Sequence, residues 1–204
     1  MTRNRPWRVT AALGLAALLA ACGSTPDPEA LRGTVLAEAW PRPDFSLTDT
    51  GGEPFAFRAR TAGTVTLLFF GYTHCPDVCP VHLGNIAAVL GTLTPDVSGR
   101  VRVVFVSTDP ERDTADRIRS WLDGFDRRFI GLRGSLDEVN AIQQRIGLAA
   151  AVVPDTSDGD YTVGHGAQVI AYTADDSAHV VYGFGTRQAD WAADLPRLVG
   201  GEWD

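Results

Sequence analysis

Apolar residues along this chain follow two rhythms. Thr64–Phe70 (TVTLLFF) and Val101–Ser107 (VRVVFVS) are nearly continuous apolar runs of strand length, the pattern of strands buried on both faces. Between and after them the spacing becomes helical. Leu83, Ile86, Ala87, Leu90 and Leu93 fall on one face and predict a helix over 80–93, opened by Pro80 at its first position with Cys79 as N-cap. Further helices are predicted over 114–125 and 135–146, around a short strand at 129–132 (FIGL). Strands 167–172 (AQVIAY) and 178–184 (AHVVYGF) flank an Asp175-Asp176 turn and should pair antiparallel. A last helix, 187–199, carries Trp191, Leu195 and Leu198 inward, with Pro196 expected to kink or break it. Phe45–Leu47 and Phe55–Phe57 around Thr50-Gly51-Gly52 predict a small hairpin. Strands alternating with helices, then a hairpin and a helix, argue an α/β sandwich with a mixed sheet.

The first 43 residues follow neither rhythm. Arg3, Arg5 and Arg8 precede a 13-residue Ala/Leu-rich run, Val9–Ala21, shorter than the roughly 20 residues that span a bilayer. The pattern predicts an export signal over 1–22. Its end, Leu19-Ala20-Ala21-Cys22, resembles a bacterial lipobox, which implies lipidation of Cys22. Residues 23–43 hold Pro26, Pro28, Pro41 and Pro43 with little periodicity and predict an extended tether to a single domain over 44–204. The expected place is outside the cell membrane, on its outer or periplasmic face.

Charge narrows the partners. The net charge is −7, and without the three leader arginines 15 basic residues face 25 acids, about −10. Nucleic acid is therefore a poor partner. All 18 basic residues are arginine, which excludes Schiff-base and lysine-base chemistry.

The candidate chemistry lies between the first strand and the first helix, in Gly71–Pro80 (GYTHCPDVCP). Two of the chain's three cysteines, Cys75 and Cys79, sit there, each followed by proline. Proline pushes the residue before it out of the helical region, so the loop is stiff. Thiols at a helix N-terminus lean toward thiolate. Such a pair can close into a disulfide or hold a soft metal ion. With Cys22 lipidated, no odd thiol is left over. The loop follows a central strand, where open α/β sheets place their chemistry.

Of four histidines, His82 and His179 read as surface residues, and His74 as aimed away by the strand exit. His165 lies between Gly164 and Gly166 just before strand 167–172, as a lone loop histidine. In Asp109–Thr114 (DPERDT), Asp113 or Thr114 is expected to cap the next helix. Asp109 is placed near the cysteine loop, where its carboxylate would orient a ligand or partner. Asp77, exposed inside the loop, is a candidate docking contact.

GYTHCPDVCP, VSTDPERDT (Val106–Thr114), FIGLRG (Phe129–Gly134) and a histidine before the last strands, in this order and at similar spacing, resemble the Sco/SenC family. These are thioredoxin-fold, membrane-tethered copper proteins that assist assembly of the binuclear copper centre of cytochrome c oxidase. The resemblance implies that Cys75 and Cys79 are thiolate copper ligands and His165 the imidazole ligand. It also implies oxidase subunit II as a partner, with another copper chaperone as a further candidate. The family pattern has an acid before the histidine and a small hydroxyl after it; here both are glycine.

Two thiolates and an imidazole suit Cu(I) and, with an added ligand, Cu(II). Structural zinc sites usually take four protein ligands. The competing reading is a thioredoxin-like thiol–disulfide oxidoreductase using the same cysteines. Those enzymes typically carry two residues between the cysteines and a proline opposite, where this chain has three and Gly164-His165-Gly166. A third reading, peroxide reduction by the cysteine pair, predicts rapid peroxide turnover. The chain is therefore expected to be a metallochaperone rather than an enzyme.

Overall fold

The computed structural model describes residues 30–155 and 161–203. The chain divides into two units, Met1–Ala30 and Leu31–Asp204, and every named element lies in the second. The expected signal, its Cys22 and most of the N-terminal half of the tether lie outside the described residues. No helix among the described residues is long and apolar enough to cross a membrane.

In chain order the elements are β1 (Thr34–Pro41), β2 (Ser46–Asp49), β3 (Pro54–Ala56), α1 (Phe57–Thr61), β4 (Val65–Gly71), α2 (Val78–Thr92), α3 (Pro95–Ser98), β5 (Val101–Ser107), α4 (Ala115–Asp123), β6 (Ile130–Arg133), α5 (Leu136–Arg145), β7 (Val169–Tyr172), β8 (Ser177–Tyr182) and α6 (Gln188–Gly200). The strands form one mixed sheet in the order β1-β8-β7-β4-β5-β6-β2-β3. β4 pairs parallel with β5 and antiparallel with β7. The helices cover both faces, giving a thioredoxin-like sandwich.

β4 explains the two layers. All seven of its residues are buried, and alternate side chains serve opposite faces. Val65, Leu67 and Phe69 meet Leu83 and Ile86 of α2, Ile118 and Leu122 of α4, and Trp191 and Leu195 of α6. Leu68 and Phe70 face the hairpin aromatics Phe45, Phe55 and Phe57, and Val139 and Ile142 of α5. The parallel pairing brings the exits of β4 and β5 side by side, with Gly71 opposite Ser107.

Three expectations change. The tether does not reach residue 43: Thr34–Pro41 is an edge strand paired antiparallel with β8. Its residues are mostly exposed, so no hydrophobic alternation marked it. The segment is pinned at both ends. Asp194 of α6 accepts from the Arg32 and Gly33 N–H groups, and the buried Arg42 pairs with Asp176 at 2.8 Å while donating to Thr61, Thr66 and two backbone carbonyls. Second, Phe57 opens α1 instead of ending a strand. Third, of the kink or break expected at Pro196 the break does not occur: α6 continues through it to Gly200, close to the expected end. The β7–β8 turn sits at Asp175-Asp176 as expected, with Asp176 in the left-handed region at φ 69°.

Candidate metal centre

β4 ends on Gly71 and the chain turns directly into the cysteine loop, where the Cys75 N–H donates to the Tyr72 carbonyl at 3.2 Å. The close approach demands glycine: a Cβ at 71 would stand 2.8 Å from Cys79 Sγ and 3.0 Å from the Phe105 ring. Asp77, exposed as expected, is the N-cap of α2, its Oδ1 accepting from the Val78 N–H at 2.6 Å. This corrects the expectation that Cys79 caps a helix beginning at Pro80. A carboxylate is a strongly preferred capping acceptor, so α2 starts at Val78 and Cys79 lies inside its first turn.

The two sulfurs are unlike. Cys79 is fully buried against the sheet, whereas Cys75 is half-buried. Cys75 Sγ accepts hydrogen bonds from the Cys79 thiol and from the Cys79 backbone N–H, the latter at 3.4 Å. Those bonds, helped by the Asp77 N–H and the nearby His165, pull its pKa down to about 5 against the opposing effect of burial. Cys79 is pushed far up, because it donates to the Cys75 thiolate and is buried. The pair thus shares one proton, held on the inner sulfur.

His165 approaches from the loop between α5 and β7. Its Nε2 lies 3.9 Å from Cys79 Sγ although 86 residues separate the two in sequence. The ring packs edge-on against Tyr72 and Phe69, with centroids 5.8 and 6.4 Å away. No acidic neighbour is needed to orient it. Nδ1–H donates to the Gly166 carbonyl at 2.9 Å, which leaves the Nε2 lone pair facing Cys79. Gly164 is not crowded either, since a Cβ there would meet nothing nearer than 3.9 Å.

Cys75, Asp77, Tyr72, Val163 and His165 are among the residues lining one open cleft of about 370 Å³. A slightly larger cleft, about 410 Å³ between Trp40–Pro43 and Arg145–Gly147, offers no thiol, imidazole or carboxylate. Among the described residues, the potential ligands whose atoms all lie within 4.8 Å of one another are His74, Asp109 and Asp113, not the cysteines with His165. Cys79 and His165 are already at bridging distance, so Cys75 and His165 are the pair that must close.

The His74 cluster is a hub of internal bonds. Buried Asp113 accepts from the Thr73 N–H and hydroxyl and from the Ser107 hydroxyl, with His74 Nδ1 3.9 Å away. His74 is thus turned from the thiols, as expected. Thr114, not Asp113, caps α4 by accepting from the Arg117 N–H. Asp109 is buried and touches neither thiol nor His165; its carboxylate binds Arg112 and Tyr161.

His82 corrects the surface reading. It is 1% exposed, its ring between Phe69 and Phe184, and burial lowers its pKa. The apolar face of α2 is wider than the stripe counted from leucines and isoleucine. His179 lies on β8, inside the edge strand β1, partly covered, paired with Asp175 at 2.8 Å and stacked on Trp203. Tyr72, Arg112 and Tyr161 also border the site, and the local signal for them is slight: Tyr161 is an aromatic four positions before His165.

Fold and site define a class: a thioredoxin-like sandwich with a dithiol at the start of its first long helix and an imidazole facing it from a distant loop. Residues 37–200 match the SCO1/SenC family, and the chain belongs to it. It is 30% identical over 135 residues to a putative copper-binding protein of Stutzerimonas stutzeri, covering 66% of this chain and 65% of that one. Among solved structures it resembles Bradyrhizobium japonicum ScoI with copper bound, at TM-score 0.67 and 36% identity, covering 76% of this chain and 98% of that one. It also resembles apo Sco1 of Thermus thermophilus, at TM-score 0.74 and 31% identity, covering 86% and 99%. The chain spans between about half and two thirds of the length of the curated relatives it matches.

Proposed function

We propose that this chain binds copper through the Cys75 and Cys79 sulfurs and His165 Nε2, and serves in assembling the binuclear copper centre of cytochrome c oxidase. The observation that carries this is the 3.9 Å approach of His165 Nε2 to Cys79 Sγ, with its lone pair directed there. The donor set fits the cargo: two soft sulfurs and one imidazole suit Cu(I), with room for an added ligand in the open cleft for Cu(II). Similarity to a copper-bound ScoI supports the same reading. Binding requires Cys79 to give up its proton, so loading releases acid. The recipient is oxidase subunit II, with a second copper chaperone as donor. Export and lipidation at Cys22 would hold the domain at the outer face of the membrane.

Competition titration of Cu(I) against a chelator tests the ligand set. His165→Ala should weaken binding by tenfold or more, on the order of 1.4 kcal/mol per decade. An unchanged affinity would remove His165 from the site.

The asymmetric thiols favour a second reading of the same site, thiol–disulfide exchange. The Cys75 thiolate attacks a partner disulfide, releasing one partner thiolate and forming a mixed disulfide. Cys79 then loses its proton and attacks the Cys75 sulfur, releasing the second partner thiolate and leaving a Cys75–Cys79 disulfide. Two electrons pass to the partner. His165→Ala should leave this exchange largely intact, which separates the two readings.

A further inference from the structure

We infer that Asp109, Arg112 and Tyr161 form a clamp that positions His165 against the cysteines, an inference that rests on the ligand set proposed above. The segment leaving β5 reaches both walls of the site. On the cysteine side, Ser107 and Asp113 hold Thr73, two residues before Cys75. On the histidine side, the Arg112 guanidinium lies 3.4 Å over the centroid of the Tyr161 ring and its Nη2 donates to the Tyr161 carbonyl at 3.0 Å. Arg112 Nε donates to Asp109 Oδ2 at 2.6 Å, and the Tyr161 hydroxyl donates to Asp109 Oδ1 at 2.9 Å. Both carboxylate oxygens are used, and the Asp109 side chain is 1% exposed.

Tyr161 lies four residues before His165. Between them Val163 packs on Tyr72, and Gly164 exchanges two backbone hydrogen bonds with Val152, at 2.7 and 3.0 Å. A short, cross-braced piece of chain therefore connects the clamp to the imidazole. A rigid connection of this length transmits a displacement of Tyr161 to the ring. One seven-residue bracket, Ser107–Asp113, thereby sets the distance between thiolates and imidazole. A part-buried charge-assisted network of this kind favours one geometry, because removing any member costs each of the others a hydrogen bond.

Tyr161→Phe keeps the ring under Arg112 and removes only the hydroxyl bond to Asp109. Arg112→Lys keeps the charge and removes the planar fork and its stacking. Each is measured by Cu(I) competition titration in the otherwise unaltered chain and in the His165→Ala background. Loss of a residue that supports a metal ligand typically weakens binding ten- to a hundredfold, and about tenfold is expected for Tyr161→Phe. In the His165→Ala background the same change should alter affinity by less than about twofold, since the ligand it positions is gone. An equal loss in both backgrounds, or none in the first, overturns the clamp. Amide exchange in metal-free protein supplies a readout independent of copper. The Gly164 N–H should exchange about tenfold faster in Tyr161→Phe while β4 amides are unchanged, and an unchanged Gly164 rate overturns the clamp. If His165→Ala alone leaves copper affinity unaltered, the ligand reading falls, and exchange at Gly164 decides the clamp by itself.

Discussion

The two walls of the site are built in opposite ways. The cysteine wall is a strand end, a turn and a capped helix, consecutive in sequence and held by backbone bonds and burial. The histidine wall is loop, braced within itself by the Val152–Gly164 bridge and fixed to the body at separate points, Asn140 to Ala151 and Tyr161 to Asp109 and Arg112. The first wall is as stable as the core it belongs to. The second, held by few and separate bonds, is expected to open locally at lower cost than the first. Under the proposed function, in which copper is taken up and passed on, one fixed and one yielding side would serve both steps.

The largest contrast should appear within the cysteine wall itself. At pH 7 Cys75 should alkylate more than about a hundredfold faster than Cys79, because only its thiolate is populated and accessible. The Cys75 rate should fall by half near pH 5, read by mass spectrometry of labelled peptides. Equal labelling of both sulfurs would contradict the shared-proton arrangement. The shift also acts on stability. Its folded pKa lies below the ordinary thiol value of 9.0, so Cys75 contributes stability that is complete above pH 9 and is lost as pH falls through about 5. The opposite shift on Cys79 removes stability above pH 9.

Next in size is Asp113→Ala. It strips the acceptor from the Thr73 N–H and hydroxyl and from the Ser107 hydroxyl, all buried. A loss of about 3 kcal/mol is expected, lowering the melting temperature by roughly 6–12 °C in a domain of this size. A change under about 1 kcal/mol would mean that the cysteine wall does not depend on this hub.

The smallest effect sharpens the comparison. Asn140→Ala removes both bonds between α5 and Ala151 in the histidine wall. Exchange at the Ala151 amide should speed up about tenfold, some 1.4 kcal/mol of local opening, with almost no change in the melting temperature. A global loss as large as that of Asp113→Ala would erase the distinction between the walls.

The same difference governs what could be read from the residues. The apolar runs at 64–70 and 101–107 placed β4 and β5, and the prolines and following stripe placed the cysteine loop before a helix. Each of these signals is local, so periodicity and spacing reach it. Asp77 caps α2 in place of Cys79 because the loop offers two competing capping groups and the carboxylate wins. β1 was illegible because an edge strand exposed on both faces carries no alternation. The histidine wall lay further out of reach. His165 was a lone loop residue until resemblance singled it out, and its braces join positions dozens of residues apart. Tyr161 to Asp109 spans 52 residues, a pairing that only the folded chain reveals. Asp109 is expected near the loop as a carboxylate that orients a ligand or partner, but its actual partners, Tyr161 and Arg112, are out of reach of any local pattern. Buried His82 shows the same gap: its cover comes from Phe69 and Phe184, on other elements.

X-ray absorption at the copper edge of the Cu(I)-loaded protein tests the meeting of the two walls most directly. The expected shell is two sulfurs and one imidazole nitrogen, with the nitrogen lost in His165→Ala. A shell of sulfur alone, or one that His165→Ala leaves unaltered, would contradict it.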